Sequence, residues 1–160
     1  MVFALMLVQT VSSGFGFYNM SVYVAVLSAE LNQSLANLSF AVSLFFIAGG
    51  VAGLYVARLM DTVNIRWIMT TGSLIAGAAL AMVGMVESLW GIYLLFVIFG
   101  LGNTGISLVV GTTLITRWFP GPNRSVALAI ASTGLSLGGV TLTPLTAYLF
   151  NELGVAATMP

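Results

Sequence analysis

The residues with the most chemical capacity in this chain are uncharged. Ser12, Gly16, Asn19 and Tyr23 recur at helical spacing. So do Gly100, Thr104, Ser107 and Gly111, with Asn103 at the edge of that set, and so do Ser132, Ser136, Gly139 and Thr143. Residues three and four apart share one face of a helix, so each set reads as a polar stripe on an apolar helix. Hydroxyls and amides donate and accept hydrogen bonds. They hold and orient a solute, but they are poor acids and bases near neutral pH. Asn19, Tyr23, Asn103, Ser107, Ser132 and Ser136 are therefore the candidate solute-contacting residues. The two amides weigh most, because a buried amide needs several partners. The same stripes also suit hydrogen bonding between helices, which stabilises by roughly 0.6 kcal/mol per contact.

Covalent chemistry has little to work with. Cysteine and histidine are both absent. That removes thiol nucleophiles, disulfides, Cys/His metal sites and imidazole acid–base catalysis. No cluster of acids lies on one helix face. No catalytic residue, metal site or cofactor is assigned, and the chain reads as a non-enzyme. Four basic residues against four acidic ones leave no electrostatic footprint for nucleic acid.

The elements that carry the stripes must sit in lipid. Of the 160 residues, 59% are hydrophobic and 5% charged. A soluble domain carries about 25% charge. The eight charged residues divide the chain into five apolar runs, each reaching the roughly 20 residues that cross a bilayer as a helix. Five transmembrane helices are predicted, at about 3–28, 38–58, 66–86, 89–117 and 125–150. The first run lacks the basic flank of a signal peptide and is too long for one, so it counts as a retained helix.

The loops alternate in charge. Arg58, Asp61 and Arg66 follow the second helix, and Arg117 and Arg124 follow the fourth. Glu30, Glu87 and Glu152 follow the other three. By the positive-inside rule the arginine loops and the N-terminus are cytoplasmic, and the chain is integral to the plasma membrane. Pro120 and Pro122 stop the fourth helix before the fifth begins. Asn32-Gln-Ser and Asn37-Leu-Ser fall in the predicted outer loop, where chance Asn/Ser usage accounts for them.

Lipid tails drive helix association weakly, so small residues must let backbones approach. Gly49, Gly53 and Ala57 form such a stripe on the second helix. Ser73, Gly77, Ala81 and Gly84 form one on the third, and Gly134 and Gly138 one on the fifth. No charged residue lies near the centre of any span. A proton relay within the membrane needs such a residue, so for any proton coupling the carrier lies outside these residues.

Two stretches carry a family resemblance. "GLGNTG" at 100–105, followed by "RWFPGPNRSVALAIASTGLSLG" at 117–138, resembles the helix-four to helix-five region of the major facilitator superfamily. It is most similar to the branch of monocarboxylate transporters and oxalate/formate exchangers. Trp118, Phe119, Arg124, Ala127, Ile130, Ala131, Gly134 and Gly138 match that branch's pattern, Ala129 replaces its internal glycine, and Pro144 suits it. The loop "ARLMDTVNIR" at 57–66 resembles the superfamily's Gly-x-x-x-Asp-Arg-x-Gly-Arg-Arg signature at Asp61 and Arg66. It departs at Ala57, Thr62, Asn64 and Ile65. An arginine that many proton-coupled members carry in helix four would fall at Phe96.

The resemblance implies an all-α, polytopic helix bundle. Residues 1–160 would form part of the N-terminal six-helix repeat of a twelve-helix transporter, with the C-terminal half of the same protein as its partner. Helices one, four and five would line a cavity for a small solute, a small organic anion such as a monocarboxylate. A reduced cytoplasmic charge network among Arg58, Asp61, Arg66, Arg117 and Arg124 would gate it, with Asp61 linked to Arg58, Arg66 or Arg124. The other partners are the lipid bilayer and the small-molecule substrate, with no nucleic acid. The chain stops where a sixth helix is expected, so a fragment of a longer transporter is expected. The competing reading is a small oligomeric membrane protein, a channel or structural partner without transporter activity.

Overall fold

The structure, a computed structural model, describes residues 2–86, 88–118, 121 and 124–153. Among the described residues every regular element is helical. In chain order these are α1 (Val2–Ser13), a π turn (Gly14–Tyr18), α2 (Met20–Glu30), α3 (Leu35–Leu59) and α4 (Ile65–Val83). They continue as α5 (Leu89–Thr104), α6 (Leu108–Trp118), α7 (Arg124–Leu137), a second π turn (Gly138–Leu142) and α8 (Thr143–Leu153). Five spans result: α1 with α2, α3, α4, α5 with α6, and α7 with α8. Four of the five runs, Leu35–Leu59, Ile65–Val83, Leu89–Trp118 and Arg124–Phe150, are by length and composition able to cross a membrane. The first span is divided at Asn19 into two shorter apolar helices.

Local chemistry sets the boundaries. The Ser34 hydroxyl accepts from the Asn37 N–H at 3.3 Å, so α3 begins at Leu35, three residues before the expected start. Asn64 caps α4 in the same way, through the Arg66 N–H at 3.2 Å. Asn32 turns the chain between α2 and α3 at φ 51°, a left-handed conformation that asparagine tolerates. The third span ends earlier than residue 86, because the chain tightens into i→i+3 bonds from Met85 to Met82 and from Val86 to Val83.

Helix α5 lies between α3 and α4, and α1 lies along α7. Leu38, Ala41 and Phe45 of α3, Ala76, Ala79 and Val83 of α4, and Ile92, Leu95, Phe96 and Phe99 of α5 make the main core. A smaller core joins Leu5 to Ile115, Ala127 and Ala131. The outward surface is apolar, as lipid requires. Trp67 at the start of α4 is 67% exposed and Trp90 at the start of α5 is 80% exposed, the aromatic anchoring expected near membrane interfaces.

The α4–α5 contact rests on backbone approach. A Cβ on Gly102 would stand 2.5 Å from the Ala76 nitrogen and 2.8 Å from the Gly72 oxygen. The small residues that meet α5 are thus Gly72, Ala76 and Ala79. They lie one residue, or about 100°, round the helix from the Ser73–Gly77–Ala81 stripe. Gly77 itself is exposed, and a Cβ there would meet nothing within 4 Å. Elsewhere Gly49 lies against Gly100 and Thr104, and a Cβ on Gly53 would reach only the Thr104 methyl, at 3.9 Å. Gly134 lies on Met6 and Thr10, and Gly138 on Thr10, Ser13 and Gly14.

The helices of the first, fourth and fifth spans are not continuous. Gly16 is the midpoint of Val2–Glu30, and the π turn Gly14–Tyr18 surrounds it. Leu137 is the midpoint of Arg124–Phe150, and the second π turn begins at the next residue. The midpoint of Leu89–Trp118 falls between Asn103 and Thr104. Directly after it, Gly105, Ile106 and Ser107 bond back to Gly102, Asn103 and Thr104 in an i→i+3 turn that separates α5 from α6. The helix expected over 89–117 is therefore two helices. At the break a Cβ on Gly105 would be 2.8 Å from the Ile68 oxygen, so glycine is what allows this close approach to α4. The second and third spans run without interruption.

Candidate functional site

The buried polar side chains belong to the three interrupted spans, and Thr146 of the fifth lies in the helix after its π turn. In the first span, Gln9, Ser12, Ser13 and Asn19 are buried, and in the fourth Asn103 is. The Ser12 hydroxyl donates to Asn103 Oδ1 at 3.1 Å. One turn earlier the Gln9 amide donates to the Ser107 carbonyl at 3.2 Å. Glycines admit both amides. A Cβ on Gly16 would be 2.5 Å from Asn103 Nδ2, and Gly111 lies directly beneath the Gln9 amide. The first and fourth spans therefore meet near mid-span through two neutral hydrogen bonds, with apolar contacts such as Leu5 and Ile115 to one side.

These bonds border a cavity of about 400 Å³ between the first, second and fourth spans. Phe17, Phe45 and Phe46 make its apolar side. Asn103, Thr104 and Ser107 make its polar side. The Thr104 hydroxyl reaches across to the Gly49 carbonyl at 3.1 Å and fixes that wall to the second span. Such a recess can hold a small solute with an apolar body and a hydrogen-bonding head.

Asn19 and Tyr23 belong to a different place. Both are fully enclosed, at 0% and 1% exposure. Asn19 Nδ2 donates to the Thr146 hydroxyl of the fifth span at 2.8 Å. The Tyr23 ring meets Phe150 edge-on, with centroids 6.2 Å apart, and its hydroxyl is buried beside the Asn19 amide. Tyr23 and Thr146 line a second cavity, of about 260 Å³, between the first, third and fifth spans. The six solute-contacting candidates therefore divide. Asn103 and Ser107 lie at the first cavity, and Tyr23, with Asn19 behind it, at the second. Ser132 is half-buried and Ser136 exposed, and neither lines either cavity.

The basic residues gather at the opposite end of the bundle from Glu30. Arg117 Nη2 pairs with Asp61 Oδ1 at 2.9 Å, and Arg117 Nη1 donates to the Met60 carbonyl at 2.9 Å. Asp61 thus pairs with Arg117 and not with Arg58, Arg66 or Arg124, which are exposed. Packing explains the choice. Met60, Ile65, Ile68 and Val110 form a small core that draws α6 against the end of α3. Arg66 and Arg117 share a recess with Asn64 and Trp118. Among the described residues, no three His, Cys, Asp or Glu side chains lie together, so the usual donors of a transition metal do not converge.

Two polar residues at these sites lay outside the expected stripes: Gln9 and Thr146. The hydroxyl of Thr143, which the stripes did include, is buried without a partner, as is Gln9 Oε1. The same spacing rule reaches both Gln9 and Thr146. Gln9 extends Ser12–Gly16–Asn19–Tyr23 by one turn, and Thr146 extends Ser132–Ser136–Gly139–Thr143 by one turn.

Known proteins resemble this chain over most of its length. The stretch that matches "Probable transporter MCH2" of Saccharomyces cerevisiae is 36% identical over 108 residues, 67% of this chain and 21% of that protein. The match to "Sodium-dependent phosphate transport protein 1, chloroplastic" of Arabidopsis thaliana is 28% identical over 145 residues, 85% of this chain and 27% of that protein. The chain thus spans about a quarter of the length of the curated relatives it matches. The sequence profile of the Major Facilitator Superfamily matches residues 5–159, nearly the whole chain. With its apolar spans, its interrupted central helices and this match, the chain is an integral membrane protein that belongs to the Major Facilitator Superfamily.

Proposed function

We propose that the chain is part of a secondary transporter that moves a small solute by alternating access, and that its activity is translocation rather than covalent change. The observation that carries this reading is the position of the irregular backbone. Spans one, four and five lose regular helix at their midpoints, and the buried Ser12, Ser13, Asn19 and Asn103 lie beside the breaks of the first and fourth. Broken helices at membrane depth are tolerated where they line a cavity or a binding site. Residues 1–160 form part of the N-terminal six-helix repeat, and a C-terminal half of the same protein closes the cavity.

The substrate is a small organic anion, a monocarboxylate in the first instance. The motif at 117–138 supports that class, and one relative's printed name, a phosphate transport protein, also concerns a small anion. Asn103 and Ser107 contact the solute in the larger cavity. Asn19 and Tyr23 act from the neighbouring one, and Ser132 and Ser136 face the path as the halves move. Arg58, Asp61, Arg66, Arg117 and Arg124 form the cytoplasmic gate, with the N-terminus on the same side, in the plasma membrane.

Uptake into cells expressing the natural full-length protein tests the reading. Labelled lactate is expected to accumulate above background, and Asn103→Leu is expected to cut uptake at least tenfold at unchanged surface abundance. Uptake of labelled phosphate without lactate would keep the transporter and overturn the monocarboxylate. Uptake of neither, with a stable channel-like oligomer in the membrane, would overturn alternating access.

A further inference from the structure

We infer that the recess between the start of α4 and the end of α6 is a binding site for the phosphodiester headgroup of an anionic phospholipid. The inference rests on the membrane location of the chain. It goes beyond the transport reading and does not require it.

The recess, of about 330 Å³, is lined by Asn64, Arg66, Arg117 and Trp118, with Met69 and Leu114 on its apolar side. Its polar groups are donors. A guanidinium and an indole N–H donate and do not accept. Among the described residues the Arg66 guanidinium has no hydrogen bond or ion pair. Arg117 commits Nη2 to Asp61 and Nη1 to the Met60 carbonyl, both at 2.9 Å, and keeps its other N–H groups. The Asn64 side-chain oxygen accepts the Arg66 backbone N–H at 3.2 Å, which leaves the Asn64 amide nitrogen to donate. The acceptors here are thus already used, and the donors are in surplus. That is the complement of a group that only accepts, as the oxygens of a phosphate do. The N-terminus of α4 adds its own partial positive charge.

Charge and position select the source of that phosphate. Arg66 and Arg117 bring two positive charges and the paired Asp61 one negative, a formal balance of +1. A phosphodiester carries one negative charge and is neutralised by that balance. Inorganic phosphate is partly a dianion at neutral pH and would keep an excess. The third span is peripheral: α4 packs chiefly on α5, and Leu74 and Ile75 on its outer side are exposed. Trp67, next to Arg66, and Trp118, next to Arg117, are also exposed, as indole rings at headgroup level are. The recess therefore lies where the bundle meets the bilayer interface. Basic recesses between helices at that level hold anionic headgroups. Met69 and Leu114 give the apolar side that a lipid has a use for and a soluble phosphate does not.

Native mass spectrometry of the purified full-length protein in detergent tests this, with titrations of phosphatidylglycerol, phosphatidylcholine and inorganic phosphate. Phosphatidylglycerol is expected to bind about fivefold more tightly than phosphatidylcholine, whose choline cation faces the arginines. Arg66→Gln is expected to weaken phosphatidylglycerol about fivefold, and Arg66→Lys to keep most of the affinity. Arg58→Gln removes an exposed arginine at the same end but outside the recess, and is expected to leave binding unchanged. Both side chains are exposed, so the three variants are expected to melt as the unmodified protein does. Equal binding of the two lipids would overturn the inference in favour of apolar contact alone. Equal losses in Arg66→Gln and Arg58→Gln would overturn it in favour of diffuse charge. Inorganic phosphate that binds through Arg66 and displaces phosphatidylglycerol would overturn the lipid in favour of a soluble anion. Selective, Arg66-dependent phosphatidylglycerol binding without lactate uptake would sustain this site while the monocarboxylate transport reading fell.

Discussion

Ser12 and Asn103, 91 residues apart in sequence, are joined by a hydrogen bond of 3.1 Å at the middle of their spans. The bond fixes the first span to the fourth where the helices of both are interrupted. Each residue also has a second constraint: Asn103 fills the space that Gly16 leaves open, and it borders the larger cavity.

The two residues are expected to differ when removed. Ser12→Ala leaves the Asn103 carbonyl oxygen at a cavity that can supply another donor, so the loss is small, below about 1 kcal/mol. Asn103→Leu pushes a branched side chain against Gly16 and removes the polar wall, and it is expected to cost about 1–3 kcal/mol. Thermal unfolding of the purified full-length variants in detergent compares them. Equal losses would show that the bond, rather than the fit of Asn103, is what stabilises the crossing.

The polar stripes were legible in the sequence because helical spacing is a local property. Ser12, Asn19 and Asn103 could be assigned to faces without any knowledge of partners. Which face meets which helix is not local. On α4 both the Gly72–Ala76–Ala79 face and the Ser73–Gly77–Ala81 face are small enough to pack. Only the position of Gly102 on α5, with Gly105 directly after it, selects the first. Likewise, charge pattern drew Asp61, Arg58, Arg66, Arg117 and Arg124 to one end. The pairing with Arg117 depends on how Met60 and Val110 pack. The π turns carried no signal, since Gly14, Gly16, Gly138 and Gly139 read equally well as packing residues.

Gly102 and Gly77 give a test of opposite sign for that helix face. A Cβ on Gly102 would meet backbone atoms of Ala76 and Gly72, which cannot step aside. Gly102→Ala is expected to destabilise by about 1–3 kcal/mol through overpacking. A Cβ on Gly77 meets nothing within 4 Å, so Gly77→Ala gains helix propensity and is expected to be neutral or stabilising by up to about 1 kcal/mol. Melting temperatures in detergent read both. A loss at Gly77 as large as at Gly102 would mean that the glycine stripe at Ser73–Gly77–Ala81 is the true contact.

The Arg117–Asp61 pair is expected to matter for movement more than for stability. Its side chains are 45% and 77% exposed, so water and salt screen the attraction. Asp61→Asn is expected to change unfolding by less than about 1 kcal/mol. If the pair gates the cytoplasmic end, the same change alters the uptake rate several-fold, and Arg117→Gln does the same. Uptake and melting of the two variants and of the double variant separate the effects. A large stability loss with unchanged uptake would make the pair a structural clasp.

Tyr23 tests whether the smaller cavity is closed by the protein itself. Its hydroxyl is enclosed beside the Asn19 amide, and its ring packs edge-on against Phe150. Tyr23→Phe keeps the ring and removes the hydroxyl. The change is expected to cost about 1 kcal/mol, the net worth of a typical hydrogen bond, read as a lower melting temperature of the purified full-length protein. Unchanged or raised stability would mean that the hydroxyl is an unsatisfied donor, and that the Asn19 amide does not engage it.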